Sequence, residues 1–470
     1  MYNKIFKCRF VALLFIIALL CNFASAGGVT IITHGYNPSI SGTPAWLNYM
    51  RDDIASEWLN NDQNYATITV TGSVGSLTAT CSPWNVGLST SDSGEIIVVL
   101  DWSAVADHLV DRVPAQDVAT VVVPKITQGQ NGEKALAELP IHLIGHSRGG
   151  GMVCEIARLL GEEGVIVDHL TPLDPHPLTS SDPQLGAPYP DIIDTPAAIY
   201  ENIVFADNYL QRISYPEGEI LSGAYNREWT SIPGGYHDNT SPGNTYADHR
   251  NVPLAYAATV NLASPLYNGE ATLQGTDRTS WFTTYETDGG VAGQKTGFYY
   301  SLIAGNNDRL STDQPNGNQR PVDGYHNDSL LGGSGSRTSL TWGSAVWPNL
   351  ATLKVYRSST LLGSGIIPVT IGESLDIQYV GFDADSTCDV TFYVDQDRNP
   401  YNSNNIATIG TQNHTAGSSS FFNGSQTWDT TGLTGTFYVY GAMTDGTRTR
   451  YLYATPEFQE QSSVSDWMMY

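Results

Sequence analysis

Ser147 stands between two glycines in Ile144-Gly145-His146-Ser147-Arg148-Gly149-Gly150. This G-x-S-x-G spacing is what a nucleophile elbow requires: a sharp strand-to-helix turn that lifts a serine hydroxyl above a sheet. Glycine is needed on both sides because strand and returning helix pass too close for a Cβ. A hydroxyl so placed becomes a nucleophile once a base takes its proton and an acid orients that base. Negative charge developing on an attacked carbonyl oxygen then needs two backbone N–H donors. Arg148 brings one with the elbow, and the second is expected from Tyr36, just after His34-Gly35. Neither side chain is required for this, and that of Arg148 reads as a surface charge.

His249 is the best candidate base. It precedes the apolar segment Val252 to Val260 and closes a flexible loop. His237 is the runner-up, inside that glycine-rich loop and more exposed in character, whereas His34, His142, His146, His169 and His176 come too early or serve other roles. Two acids compete, Asp174 and Asp207, each at the C-terminal end of a predicted strand, where open α/β sheets carry functional groups. Asp174 is favoured because it ends the first strand after the serine's helix and Pro175 fixes the turn beyond it. Asp207 remains the alternative.

The elements that must position these groups alternate. Predicted strands cover 28–33, 95–102, 139–144, 165–173 and 203–208. Helical patterns cover 44–59, 115–126 and 152–160, and a hairpin excursion covers 65–90. Strands alternating with helices mean an α/β fold around a mostly parallel sheet. Residues 213–248 carry many Gly, Pro and Asn and read as a long surface loop of the lid type. Residues 270–345 match no regular unit. From about 350 the pattern becomes short alternating strands, at 353–356, 375–380, 390–394, 436–440 and 450–454. That is the signature of a C-terminal β-sandwich of the immunoglobulin-like kind. The expected division is a leader at 1–26, a catalytic domain at 27–345, an accessory sandwich at 350–458 and a frayed tail at 459–470.

The leader has Lys4, Lys7 and Arg9, then the apolar run Val11 to Leu20, then Ala24-Ser25-Ala26. This is the pattern of a signal peptide cleaved after Ala26, so a secreted product is expected. The formal net charge is −25 at pH 7, and losing the leader makes it more negative. Such a surface disfavours nucleic acid and anionic membranes as partners. Cys81, Cys154 and Cys388 follow the leader, an odd number that excludes a disulfide scaffold and permits one pair at most. Asp395-Gln396-Asp397-Arg398-Asn399 spaces oxygen ligands as calcium loops do, but lacks the glycine and distal glutamate of an EF-hand. It reads as a solvated turn; no metal and no cofactor are predicted.

Thr33-His34-Gly35-Tyr36-Asn37, Val99-Leu100-Asp101-Trp102, the Ser147 motif and Leu173-Asp174-Pro175 occur in the order found in secreted triacylglycerol lipases of the pancreatic type. Over about residues 27–260 the chain resembles that family, and so the α/β-hydrolase superfamily. The resemblance implies a Ser-His-Asp triad with the aspartate of the Leu-Asp-Pro turn as acid, hence Asp174, and a late histidine, hence His249. Arg148 departs from it, standing where the family has leucine, and the family's disulfide framework and cysteine-closed lid have no counterpart.

The expected function is therefore a secreted serine hydrolase acting on carboxylic esters of small-molecule or lipid type, through Ser147, His249 and Asp174. An amidase or peptidase on the same groups is one alternative, and an inactive surface- or carbohydrate-binding protein another. The C-terminal sandwich is read as an attachment to a surface or polymer, or as a spacer.

Overall fold

The computed structural model describes residues 27–36, 42–83, 91–106, 113–129, 134–178, 194–213, 215–229, 247–260, 266–267, 272–273, 297–298, 301, 337–344, 346–363, 366–415 and 422–461. The leader, His237 and most of 270–345 lie outside these residues.

β1 (Val29–Thr33), β4 (Ile96–Asp101) and β5 (Ile141–His146) are near-continuous apolar runs. Strands of that kind must be covered on both faces, which suits the middle of a parallel sheet. They occupy the centre of an eight-stranded sheet of order β3-β2-β4-β1-β5-β6-β7-β8, with β2 (Asn64–Thr71), β3 (Thr78–Cys81), β6 (Val167–Leu173), β7 (Ile203–Gln211) and β8 (Tyr225–Trp229). All neighbours run parallel except β2 and β3, the predicted hairpin.

Two helices cover one face. α3 (Ala115–Thr127) and α4 (Arg148–Glu162) set Val118, Val122, Ile126, Met152, Val153, Ile156 and Leu160 against Ile31, Val98, Leu100 and Leu143. On the other face, α1 (Ala45–Trp58) and α5 (Ala247–Ala257) set Leu47, Met50, Ile54, Val252 and Leu254 against Ile32, Ile97, Val99 and Ile144. Adjacent strand residues thus serve opposite cores, as the two-residue period of a strand demands. A short α2 (Ser103–Ala106) follows β4, and two short strands after α5, β9 (Leu266–Tyr267) and β10 (Thr272–Leu273), pair antiparallel.

β8 corrects the reading of 213–248 as one long loop. Asn226 Oδ1 accepts from Leu221 N at 2.9 Å and its Nδ2 donates to Leu221 and Ala224 carbonyls at 2.8 and 3.0 Å. That side chain turns a Gly-rich stretch into an edge strand beside β7, which periodicity alone does not reveal.

The C-terminal part is β-rich and mainly antiparallel. One sheet has the order β12-β11-β14-β17, from β11 (Asn349–Arg357), β12 (Thr360–Leu361), β14 (Ser374–Phe382) and β17 (Phe422–Asp429). The other is β13-β20-β18-β15-β16 with β19 on β18. It uses β13 (Ile366–Val369), β15 (Cys388–Asp395), β16 (Ala407–His414), β18 (Thr436–Thr444), β19 (Thr449–Tyr453) and β20 (Glu457–Glu460). Leu353, Val355, Ile377 and Trp428 from the first sheet share one core with Val390, Phe392, Val439 and Phe458 from the second. β20 continues to Glu460, so the tail begins later than the sequence pattern implies.

These sheets dock where the parallel strands begin. Asn349 Oδ1 accepts from Ile166 N at 3.0 Å, just before β6, and Arg450 donates to the Ile166 carbonyl at 3.2 Å. Asn399 Nδ2 donates to Ser91 O at 2.8 Å, and Gly94 N to Arg398 O at 3.2 Å, just before β4. The 395–399 run is therefore no solvated turn: Asp395 and Asn399 are fully buried and Arg398 is 3% exposed. Asp397 accepts from Asn399 N and from Asn402 Nδ2, at 2.9 and 2.7 Å. Its oxygens hold a docking loop together. Cys81, Cys154 and Cys388 are all free thiols.

Glu95 lies at this joint with no exposure, one oxygen accepting from Thr30 Oγ1 at 2.8 Å. Burial pushes its carboxyl up from 4.5 to about 8. A raised acid favours the protonated folded state, so its contribution is complete below about pH 4.5 and is lost as pH rises through about 8. Thermal midpoints should therefore fall between pH 6 and 9. Glu95→Gln, which stays neutral and keeps an acceptor for Thr30, should flatten that fall; an equally steep profile in the variant would count against the assignment.

Candidate active site

Ser147 adopts φ 60°, ψ −126°, a conformation that L-residues rarely accept, at the junction of β5 and α4. Three contacts hold it there. Its N–H donates to Leu173 O at 2.9 Å, and its carbonyl accepts from Gly150 N at 2.9 Å and His176 N at 3.1 Å. The glycines are a packing necessity. A Cβ on Gly145 would strike the Gly149 carbonyl, and one on Gly149 would strike the carbonyl of His34. Both obstacles are backbone and cannot swing aside. Gly149→Ala is expected to lower stability by about 2 kcal/mol or more and to displace the His34 turn, as a loss of thermal midpoint would report.

Asp174 follows β6 directly and is also at positive φ, 45°. It is fully buried, and its Oδ1 accepts from Gln211 N at 2.9 Å and Gly218 N at 2.8 Å. Its Oδ2 accepts from His249 Nδ1 at 2.6 Å. The carboxylate is thus oriented by backbone donors from the end of β7 and from the β7–β8 connection, and presents one oxygen to the imidazole. His249 opens α5, 6% exposed, with its Nδ1–H directed to the acid, which leaves Nε2 as the acceptor.

His249 is also held from the elbow. His146 Nε2 donates to the His249 carbonyl at 2.9 Å, and the two ring centroids are 4.6 Å apart. Burial drives the His146 imidazole well below its ordinary range, so it stays neutral and keeps a single donor proton. Through Leu173 and His146, the residues flanking the serine in space and in sequence, the acid and the imidazole are tied to the elbow.

Asp207, the alternative acid, is engaged elsewhere. Its Oδ1 lies 2.7 Å from His169 Nε2 and 2.6 Å from Thr171 Oγ1, while Oδ2 accepts from Gly297 N at 2.9 Å. His169 stacks on His142 with centroids 3.9 Å apart. That buried cluster lies within the sheet, on residues β6 and β7 turn toward α5, and among the described residues it shares no hydrogen bond with Ser147.

The His34-Gly35-Tyr36 turn lies against the elbow: a Cβ on Gly35 would sit 2.5 Å from Ser147 Cβ and 3.0 Å from Arg148 N. Trp102, fully buried, donates from Nε1 to the His34 carbonyl at 2.8 Å. Asp101 faces His34 Nε2 at 3.6 Å, and that contact holds its carboxyl down at about 2. Tyr36 is 46% exposed, at the rim.

Arg148 corrects its reading as a surface charge. It is 2% exposed, and its guanidinium makes two 2.7 Å bonds to Asp194, through Nε and Nη2. Nη2 also donates to Val113 O at 2.9 Å, and the guanidinium lies 5.1 Å from the Trp102 ring. Sequence reasoning missed Asp194 altogether, because it sits in an aperiodic Pro-rich stretch. Among the described residues no cluster of three His, Cys, Asp or Glu suited to a metal occurs.

Neither protein-family models nor curated proteins contain a match to this chain.

Proposed function

We propose that this chain is a serine hydrolase of the α/β-hydrolase class, secreted and acting on carboxylic esters in the manner of a lipase or esterase. The observation that carries the proposal is the 2.6 Å bond from His249 Nδ1 to Asp174, tied through Leu173 and His146 to the strand-to-helix turn that holds Ser147 at φ 60°.

In this mechanism Ser147 Oγ attacks the ester carbonyl while His249 Nε2 takes its proton. Asp174 holds the imidazole in the Nδ1–H tautomer and offsets the charge it gains. The carbonyl oxygen, now negative, is met by the N–H of Arg148 and that of Tyr36. Collapse of this intermediate breaks the C–O bond, and His249 returns the proton to the leaving alcohol. Water, deprotonated by the same imidazole, then releases the acid and regenerates the serine.

Export is supported by the leader pattern at 1–26, and the accessory role of the C-terminal sheets by their separate core. The test is labelling of the purified protein with a fluorophosphonate and mapping of the adduct by mass spectrometry. Modification at Ser147 together with hydrolysis of p-nitrophenyl esters is the expected result. No adduct, or an adduct on another residue, would overturn the proposal. Esters of short and long acyl chains separate esterase from lipase, and hydrolysis of peptides in preference to esters would move the assignment to a peptidase.

A further inference from the structure

We propose that the Arg148–Asp194 ion pair is a positioning clamp for the oxyanion-binding backbone, a role that rests on the ester-hydrolase reading above. Arg148 carries both parts of the argument. Its amide is the elbow's donor, and its guanidinium, on the same residue, is anchored away from the reacting centre by Asp194.

Asp194 collects more than the guanidinium. Its Oδ1 accepts from Ala115 N at 2.8 Å, the first residue of α3, and its Oδ2 from Leu178 N at 2.9 Å. One carboxylate thus joins the start of α4, the start of α3 and the stretch that leaves Asp174. That stretch presses on the elbow directly, since a Cβ on Gly150 would meet Pro175 Cα at 2.9 Å. The second oxyanion strand is tied in through Trp102, which takes the guanidinium on its ring and donates to His34 O at 2.8 Å. Both expected donors, Arg148 N–H and Tyr36 N–H, therefore hang from one buried cluster.

Stability alone is a weak reason to keep such a pair. Desolvating two charges costs about what their attraction returns, and apolar groups of similar size often serve as well. What the fork adds is direction: two parallel bonds fix the guanidinium plane, and so the backbone behind it, in a way a leucine cannot. Donor displacement by about 1 Å is enough to cost on the order of 100-fold in rate.

The experiment compares wild type with the neutral double variant Arg148→Met with Asp194→Asn, which leaves no unpaired charge and keeps one acceptor oxygen, enough for one of the two N–H groups of Ala115 and Leu178. Expected are a thermal midpoint within a few degrees of wild type, a kcat about 10- to 100-fold lower, and KM within about twofold. Fluorophosphonate labelling of Ser147 should slow in parallel. A double variant with wild-type kcat and labelling rate would overturn the clamp. If that variant does not fold, Trp102→Phe tests the same cluster by removing the bond to His34 and part of the ring that faces the guanidinium. It should lower kcat about tenfold at unchanged KM, and an unchanged kcat would overturn the role. Wild type that neither hydrolyses esters nor takes the label refutes the hydrolase reading itself, a result distinct from a labelled wild type with an indifferent double variant.

Discussion

Ser147→Ala should leave the fold intact and remove about four to six orders of magnitude from kcat on p-nitrophenyl esters, together with all fluorophosphonate labelling. The size follows from the mechanism: the covalent route needs the hydroxyl, and what survives is binding and the backbone donors. Folding should not suffer, because the residue is held by its backbone, through Leu173 O, Gly150 N and His176 N. Alanine must still accept φ 60°, so a small loss of thermal midpoint is expected. Undiminished hydrolysis in this variant would show that the ester is cut elsewhere.

Asp174→Asn and Asp207→Asn should separate two carboxylates that look alike in sequence. The first replaces the acceptor of His249 Nδ1–H with a group that can donate, favouring the wrong tautomer, and should lower kcat by about four orders of magnitude. The second should leave kcat within a few-fold and lower stability by about 1–3 kcal/mol, since it disturbs the buried bonds to His169 and Thr171. Kinetics and thermal melts on the same two preparations decide it. A kcat collapse in Asp207→Asn with an active Asp174→Asn would reverse the assignment.

Much of this was legible in the chain because local pattern and global role agree at these places. The apolar runs of β1, β4 and β5 can only be buried, and Gly145 and Gly149 have no role apart from a tight crossing. Asp174 was legible as the favoured candidate, with Asp207 left open because each closes a predicted strand; in the structure β7 runs on to Gln211 with Asp207 inside it, and it is Asp174 that meets His249. Arg148 misled because charge usually means surface, and its partner lies 46 positions away in an aperiodic stretch. β8, β16 and β17 escaped notice for a related reason. Their residues are polar or alternate weakly, being edge strands held by backbone pairing and by side chains such as Asn226. The 395–399 run was misread because its oxygens resemble a cation loop, and burial against another element is invisible to spacing.

The joint built by Asn349, Asn399 and Arg398 fixes which way the molecule faces. It grips the parallel sheet at the ends where strands enter, while Ser147 and Asp174 stand where strands leave. The C-terminal sheets are thus a handle on the far side from the mouth. A protein immobilised through that handle presents its serine outward, away from the support.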